Sequence, residues 1–211
     1  MYCPTPFVEK NADTLQGRIE NYPFATLVSH CTEGLTADHL PLILDPDEGK
    51  HGVLRGHIAR ANPLWKNLSL GASVMVLFHG PQAYVTPSLY PAKREHGRVV
   101  PTWNYVVVHV HGWLRFIDDS AWLRRHLAEL SDRFEKPRQK PWHLDDAPEN
   151  FIEGMCRAVI GVEIKITRLE GKRKASQHKP EDERREIHAG LQRDYGYNSE
   201  DATLLSSYRV G

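Results

Sequence analysis

The chain has 211 residues, enough for one large domain with a well-buried core. Lysine plus arginine equals aspartate plus glutamate at 27 each, giving zero formal net charge and a sequence pI of about 7.2, so the composition announces no general polyanion-binding surface and any nucleic-acid contact would have to be local. Cys3, Cys31 and Cys156 lie far apart with no CxxC pair, no signal peptide is visible at Met1, and no apolar run approaches the ~20 residues needed to span a bilayer. A soluble cytoplasmic protein with reduced thiols and no membrane partner is expected.

Residues 7–22 hold an amphipathic helix, with Asn11 or Asp13 near its start and Leu15 and Ile19 on its buried side. Residues 24–31 and 35–44 read as two strands joined by Thr32, Glu33 and Gly34. A polar turn at 45–50 leads into a strand at 52–58, then a short helix at 61–68 carrying Leu64, Trp65 and Leu68. Residues 73–79 and 82–86 form a further strand pair about Gly80-Pro81, and 87–101 reads as a long exposed loop with three prolines. The longest strand spans 102–117, with Trp103, Tyr105, Val107, His109, His111 and Trp113 on one face.

A helix capped by Asp118 or Ser120 runs through Glu135, followed by a basic loop at 136–142 and a short helix around 150–154. Residues 158–169 form the last core strand, 171–179 a basic segment and 180–192 a charged helix. Residues 1–193 are thus expected as one domain and 194–211 as a polar tail. Short strands at close spacing suggest a mainly β protein, a barrel with peripheral helices.

Four places are candidates for chemistry. Within the stretch 54–66, the strand-to-helix junction gathers His57, Arg60 and Asn62, and a cation with two polar groups near a helix start makes an anion pocket; an N-cap at Asn62 followed by Pro63 would explain the same residues without a ligand. Val100-Pro101-Thr102-Trp103-Asn104-Tyr105 brings an aromatic ring, an amide and a phenol together as a loop enters a strand, the company that an isoalloxazine ring needs; an ordinary core would use the same residues. His109 and His111 share a strand face but lack a third ligand nearby, so no metal is assigned. Lys165, Arg168, Lys172, Arg173 and Lys174 form the densest basic cluster, either a solvated rim, a second anion contact or a nucleic-acid patch. No recognisable nucleophile setting and no helix-turn-helix accompany them, so catalytic residues are unassigned and DNA, though a possible partner, has no reading element.

Taken together, His39 with Pro41-Leu42, residues 56–63, residues 78–88, Tyr90-Pro91, residues 100–105 and 174–177 resemble the PaiB family, described as FMN-binding negative transcriptional regulators of the flavin split-barrel class that includes pyridoxamine-phosphate oxidases. The resemblance covers nearly the whole chain. It implies a six-stranded antiparallel split barrel of Greek-key type that forms a homodimer with FMN at the subunit interface. By analogy, His57, Arg60 and Asn62 would hold the phosphate, Thr102, Trp103, Asn104 and Tyr105 would line the ring or ribityl cleft, and Lys174, Ser176 and Gln177, matching a Lys-x-Ser-Gln motif, would reach the cofactor. Leu89 stands where the family usually has tryptophan, and Ala175 and His178 replace the usual leucine and asparagine. The functional expectation is a regulator using flavin as a redox or metabolite sensor; the alternatives are a small FMN-dependent oxidoreductase acting with NAD(P)H, in which the flavin carries the chemistry, and a haem binder.

Overall fold

In the computed structural model, residues 1–69 and 71–208 are described, and 209–211 of the expected tail lie outside them. The chain divides into two compact units. The first comprises Met1–Arg18, Phe78–His109 and Glu170–Gly211; the second comprises Ile19–Leu77 and Val110–Leu169. In chain order the elements are β1 (Val8–Glu9), α1 (Ala12–Asn21), β2 (Phe24–Cys31), β3 (Gly34–Pro41), β4 (Ile43–Asp45), β5 (Val53–Ala59), α2 (Leu64–Asn67) and β6 (Ala72–Val85). They continue with α3 (Ala92–Glu95), β7 (Thr102–Ile117), α4 (Ser120–Glu135), α5 (Glu149–Arg157), β8 (Val159–Lys174), α6 (Glu181–Tyr195) and α7 (Ser199–Ser206). The protein is mainly β with peripheral helices, but the sheet has eight strands where six were expected.

The second unit draws on seven strands in the order β3-β2-β6-β7-β8-β5-β4. β2 and β3 form the expected hairpin, Phe24 opposite Pro41 and Cys31 opposite Gly34. β5 runs antiparallel to β8, with Val53 opposite Lys165 and Ala59 opposite Val159. Alternate residues of the strands fill the core: Leu54, Ile58, Val110, Leu114, Ile160, Val162 and Ile164 are buried, as period two requires. Asp119 caps α4, its carboxylate accepting from the Trp122 N–H at 2.6 Å. α4 and α5 then pack through Leu123, Leu144, Ile152 and Cys156, leaving Cys156 as a small buried hydrophobe.

The first unit holds β1 against β8, Val8 opposite Lys172, and a helical layer from α6 and α7. Residues 194–208, expected in a polar tail, instead carry α7, whose Ala202 and Leu205 are fully buried with Ile187, Leu191, Val85 and Leu89. Three apolar residues, Ala202, Leu204 and Leu205, are buried in a helix that its polar composition concealed. α6 ends on Gly196 with φ of 70°, the left-handed C-terminal conformation. Gly190 lets α6 close on Leu89, since a Cβ there would lie 2.4 Å from the Leu89 Cδ2. Leu89 is therefore a core residue, and the 87–101 segment is ordered by a 3-10 turn at Pro87–Leu89, by α3 and by the buried Tyr90.

The pair of strands expected about Gly80-Pro81 is one strand, β6. Its buried residues are Val74, Val76 and Phe78 before that dipeptide and Ala83 and Val85 after it, so the inward parity shifts by one residue. Proline lacks the N–H that a regular ladder position would use, so the shift falls where the chain has no donor to give.

Candidate functional site

The residues singled out in the sequence divide between the units: His57, Arg60 and Asn62 belong to the second, and Thr102 to Tyr105, Lys174, Ser176 and Gln177 to the first.

At the end of β5 the polar side chains are engaged by protein. The Arg60 guanidinium forms a two-pronged pair with Asp118, Nη1 to Oδ2 at 2.8 Å and Nη2 to Oδ1 at 2.6 Å. Its Nε donates to the Arg157 carbonyl at 2.6 Å, and Nη2 also reaches the Val159 carbonyl at 3.2 Å. The Asp118 partner raises the Arg60 pKa, and Arg60 in turn lowers that of Asp118. Asn62 Oδ1 accepts from the Leu64 N–H at 2.8 Å, the ordinary turn-closing role, while its amide donates to Asp38 at 2.6 Å. α2 is only four residues long and supplies one turn of aligned peptide dipoles. His57 Nδ1 lies 3.2 Å from His126 Nε2, and His126 stacks on Trp122 with ring centroids 5.2 Å apart. Burial lowers the pKa of His57, and it lowers His126 to about 4, with His57 and Arg55 contributing to the latter. Holding a phosphate at this junction would require Arg60 to release Asp118.

The first unit presents a different surface. Trp103 and Tyr105 project to the same side of β7, while Asn104 between them is fully buried. Trp103 is 55% exposed, and Tyr84 of β6 meets its ring edge-on at 6.0 Å. Lys172 and Lys174, two residues apart on β8, reach this side of β7. Lys172 Nζ lies 5.2 Å from the Tyr105 ring centroid and 5.8 Å from that of Tyr2, and donates to the Tyr2 carbonyl at 3.2 Å. Lys174 Nζ donates to the Trp103 carbonyl at 2.6 Å and to Thr102 Oγ1. All these acceptors are neutral. Among the described residues neither ammonium is paired with a carboxylate, and burial, followed by repulsion from Lys172, lowers the Lys174 pKa.

Asn104 and Ser176 face inward. The Asn104 amide donates to Ser176 Oγ at 2.9 Å and to the Leu205 carbonyl at 2.8 Å, tying β7 to α7. Ser176 has φ of 57°, and Gln177 Oε1 accepts from the Ala175 N–H at 2.8 Å, so these two residues build the turn that ends β8. Trp103 and Tyr105 thus share one surface, which Lys174 borders through its bonds to the Trp103 carbonyl and to Thr102 at the start of β7, whereas Asn104, Ser176 and Gln177 support it from behind. Sequence reasoning missed Tyr2 and Tyr84, and it left Lys172 in an undifferentiated basic cluster. The signal available for Lys172 was its i, i+2 spacing from Lys174 on a strand. Among the described residues no group of three or more His, Cys, Asp or Glu could hold a metal ion, and no helix is long and apolar enough to cross a membrane.

The sequence family described as "Putative FMN-binding domain" matches residues 1–168. The chain belongs to this FMN-binding family. The protease synthase and sporulation protein PAI 2 of Bacillus subtilis is 30% identical over 205 residues, covering 97% of this chain and 96% of that protein, in accord with the PaiB resemblance. An uncharacterized protein of Emericella nidulans is 34% identical over 227 residues, covering 91% and 90%. Among solved structures, the FAD and heme binding protein from Mycobacterium smegmatis aligns with a TM-score of 0.55 at 16% identity, covering 87% of this chain and 80% of that one. The flavocytochrome Anf3 from Azotobacter vinelandii gives 0.56 at 14%, covering 81% and 70%. At such identities the likeness speaks to fold, and that fold is the flavin split barrel.

FMN is the cofactor of the family. The first unit's surface fits it chemically: an exposed indole and a tyrosine edge suit a flat tricyclic ring, and two ammonium groups without carboxylate partners suit a phosphate. Lys172 and Lys174 would hold the anionic end and Trp103 the ring. When bound, FMN supplies one- and two-electron redox chemistry.

Proposed function

We propose that this protein is an FMN-binding homodimer of PaiB type that acts in regulation, its flavin serving as a redox or metabolite sensor, with Trp103, Tyr105, Thr102, Lys172 and Lys174 forming this chain's share of the flavin cleft. The observation that carries the reading is the juxtaposition of the exposed Trp103 ring with two lysines whose hydrogen-bond acceptors are all neutral. Water screens such charges poorly once a ligand covers them, so an incoming phosphate gains more than it would at an open surface. Val100, 75% exposed, together with Trp103 and Tyr84, adds apolar area of the sort that a second copy buries.

The test is FMN titration followed by flavin fluorescence, with sedimentation measured on the same samples. Wild-type protein sediments as a dimer and binds FMN. Lys174→Met and Trp103→Ala each weaken binding by about tenfold, ~1.4 kcal/mol, the scale of one charge-assisted contact or one lost stacking surface. Unchanged titrations for both variants would put the flavin elsewhere, and a monomer at all concentrations would remove the shared cleft. The regulatory role is read by band-shift assays of FMN-loaded protein, oxidised and reduced, at several salt concentrations. Sequence-selective binding that differs between the two redox states supports a sensor acting on DNA; binding without sequence preference, or none, rules out direct operator control.

A further inference from the structure

The second unit contains a cavity of about 470 Å³ that the flavin reading does not use. It lies over the side of the sheet where Val53 of β5, Trp113 and Arg115 of β7, and Glu163 and Lys165 of β8 emerge, and Glu48 from the β4–β5 turn closes one edge. The volume falls in the range of roughly 300–1,000 Å³ typical of small-molecule pockets. Trp113 is 52% exposed, leaving its indole as a flat wall.

The charges around this cavity are unevenly committed. Arg55 Nη1 donates to Asp45 at 2.7 Å, its Nη2 contacts Glu48, and its Nε reaches Glu163 Oε2 at 3.2 Å. Arg115 Nε donates to the other oxygen, Glu163 Oε1, at 2.6 Å. All three carboxylates are thereby engaged by guanidinium groups. Lys165, exposed and opposite the apolar Val53, forms no ion pair among the described residues. The polar groups left to a ligand are therefore donors: the Lys165 ammonium and the remaining N–H groups of Arg115, whose side chain is 64% exposed. Three acids and three bases sum to zero, so the cavity favours a single negative charge over a polyanion.

We infer that this cavity is a binding site for a small planar aromatic carboxylate of one or two rings, stacked on Trp113 and held by Lys165. It is separate from the flavin surface and does not depend on that reading. A carboxylate accepts in-plane hydrogen bonds from an ammonium and a guanidinium together, and desolvation between Val53 and the indole strengthens both.

The probes are 2-naphthoate and its uncharged counterpart 2-naphthalenemethanol, titrated calorimetrically into the full chain, with FMN affinity measured in parallel by flavin fluorescence. Naphthoate is expected to bind at least about tenfold tighter than the alcohol, a difference of ~1.4 kcal/mol. Lys165→Met abolishes that preference while retaining the alcohol's affinity, and Trp113→Ala weakens both probes by about tenfold or more. FMN affinity is unchanged in both variants, and this unchanged value also reports that they fold. Equal binding of acid and alcohol, no naphthoate binding at millimolar concentration, or a preference that survives Lys165→Met would overturn the assignment. Loss of FMN binding in a folded Trp113→Ala would show the cavity to be the flavin's own, overturning the separate site and the flavin placement together; failure of the naphthoate arm alone leaves the flavin reading intact.

Discussion

Lowering the pH should destabilise this protein through one buried side chain, His126 of α4. Its ring is 3% exposed, stacks on Trp122 and lies 3.2 Å from His57, and its Nδ1 has no hydrogen-bond partner among the described residues. A protonated ring there would sit in a poorly solvating site near the positive charge of Arg55, so folding lowers the pKa from 6.5 to about 4. The unfolded chain therefore binds the proton near pH 6.5, whereas the native state resists it until about pH 4. The associated stability is fully present above pH 6.5, is lost progressively as the pH falls through that window, and is constant below about 4. At ~1.4 kcal/mol for each pH unit between the two values, the loss is about 3 kcal/mol. His57, whose pKa burial also lowers, acts in the same direction. The assay is urea denaturation at fixed pH values from 7.5 to 4, comparing wild type with His126→Gln, because carboxylates elsewhere titrate alike in both. Wild type should lose about 3 kcal/mol more than the variant over this interval. Parallel pH profiles would refute the argument, and so would a wild type that gains stability on acidification.

Other substitutions probe the joints of the fold. Asn104→Ala removes two buried amide hydrogen bonds and leaves the Leu205 carbonyl without that donor; urea unfolding should show a loss of about 2–4 kcal/mol. Gly161→Ala places a Cβ 2.4 Å from the Trp122 ring, pushing α4 from β8 at a cost of about 1–3 kcal/mol, read as a lower melting temperature. Arg60→Ala should lower stability by freeing Asp118 and the Arg157 and Val159 carbonyls while leaving FMN affinity near wild type; a selective loss of FMN binding with unchanged melting would return the phosphate to the end of β5.

Most strands were legible because period-two burial is written directly in the residues. β7 matches the expected 102–117, and the β2–β3 hairpin follows its Thr-Glu-Gly connection. What escaped had competing causes. β6 was divided at Gly80-Pro81 because proline usually ends a strand, yet here the flanking apolar residues hold both halves in one ladder. α7 was hidden by polar neighbours, since its burial depends on Ala202 and Leu205 meeting Ile187 and Leu191 of α6, a tertiary fact. The length of β8 was missed for a similar reason: residues 171–174 read as a basic segment, but β8 runs on to Lys174, its Gly171 and Lys172 paired with β1.

The candidate site was legible as a set of motifs and illegible as a set of contacts, and strand geometry explains the difference. Side chains on a strand alternate between faces, so no run of four consecutive strand residues can serve one ligand. In Thr102 to Tyr105, that alternation turns Trp103 and Tyr105 outward and sends Asn104 into the core to hold Ser176 and α7. The Lys-x-Ser-Gln segment divides in the same way, Lys174 reaching the exposed aromatic side while Ser176, at φ of 57°, and Gln177 shape the turn behind it. The ends of these motifs are thus coupled through Asn104: loosening its amide bonds would free the turn after β8 and let the Lys174 ammonium drift from the Trp103 carbonyl. A fold contact and a ligand contact are then the same constraint seen from opposite sides of one sheet, which is why such residues sit together in sequence although only half of them can touch a cofactor.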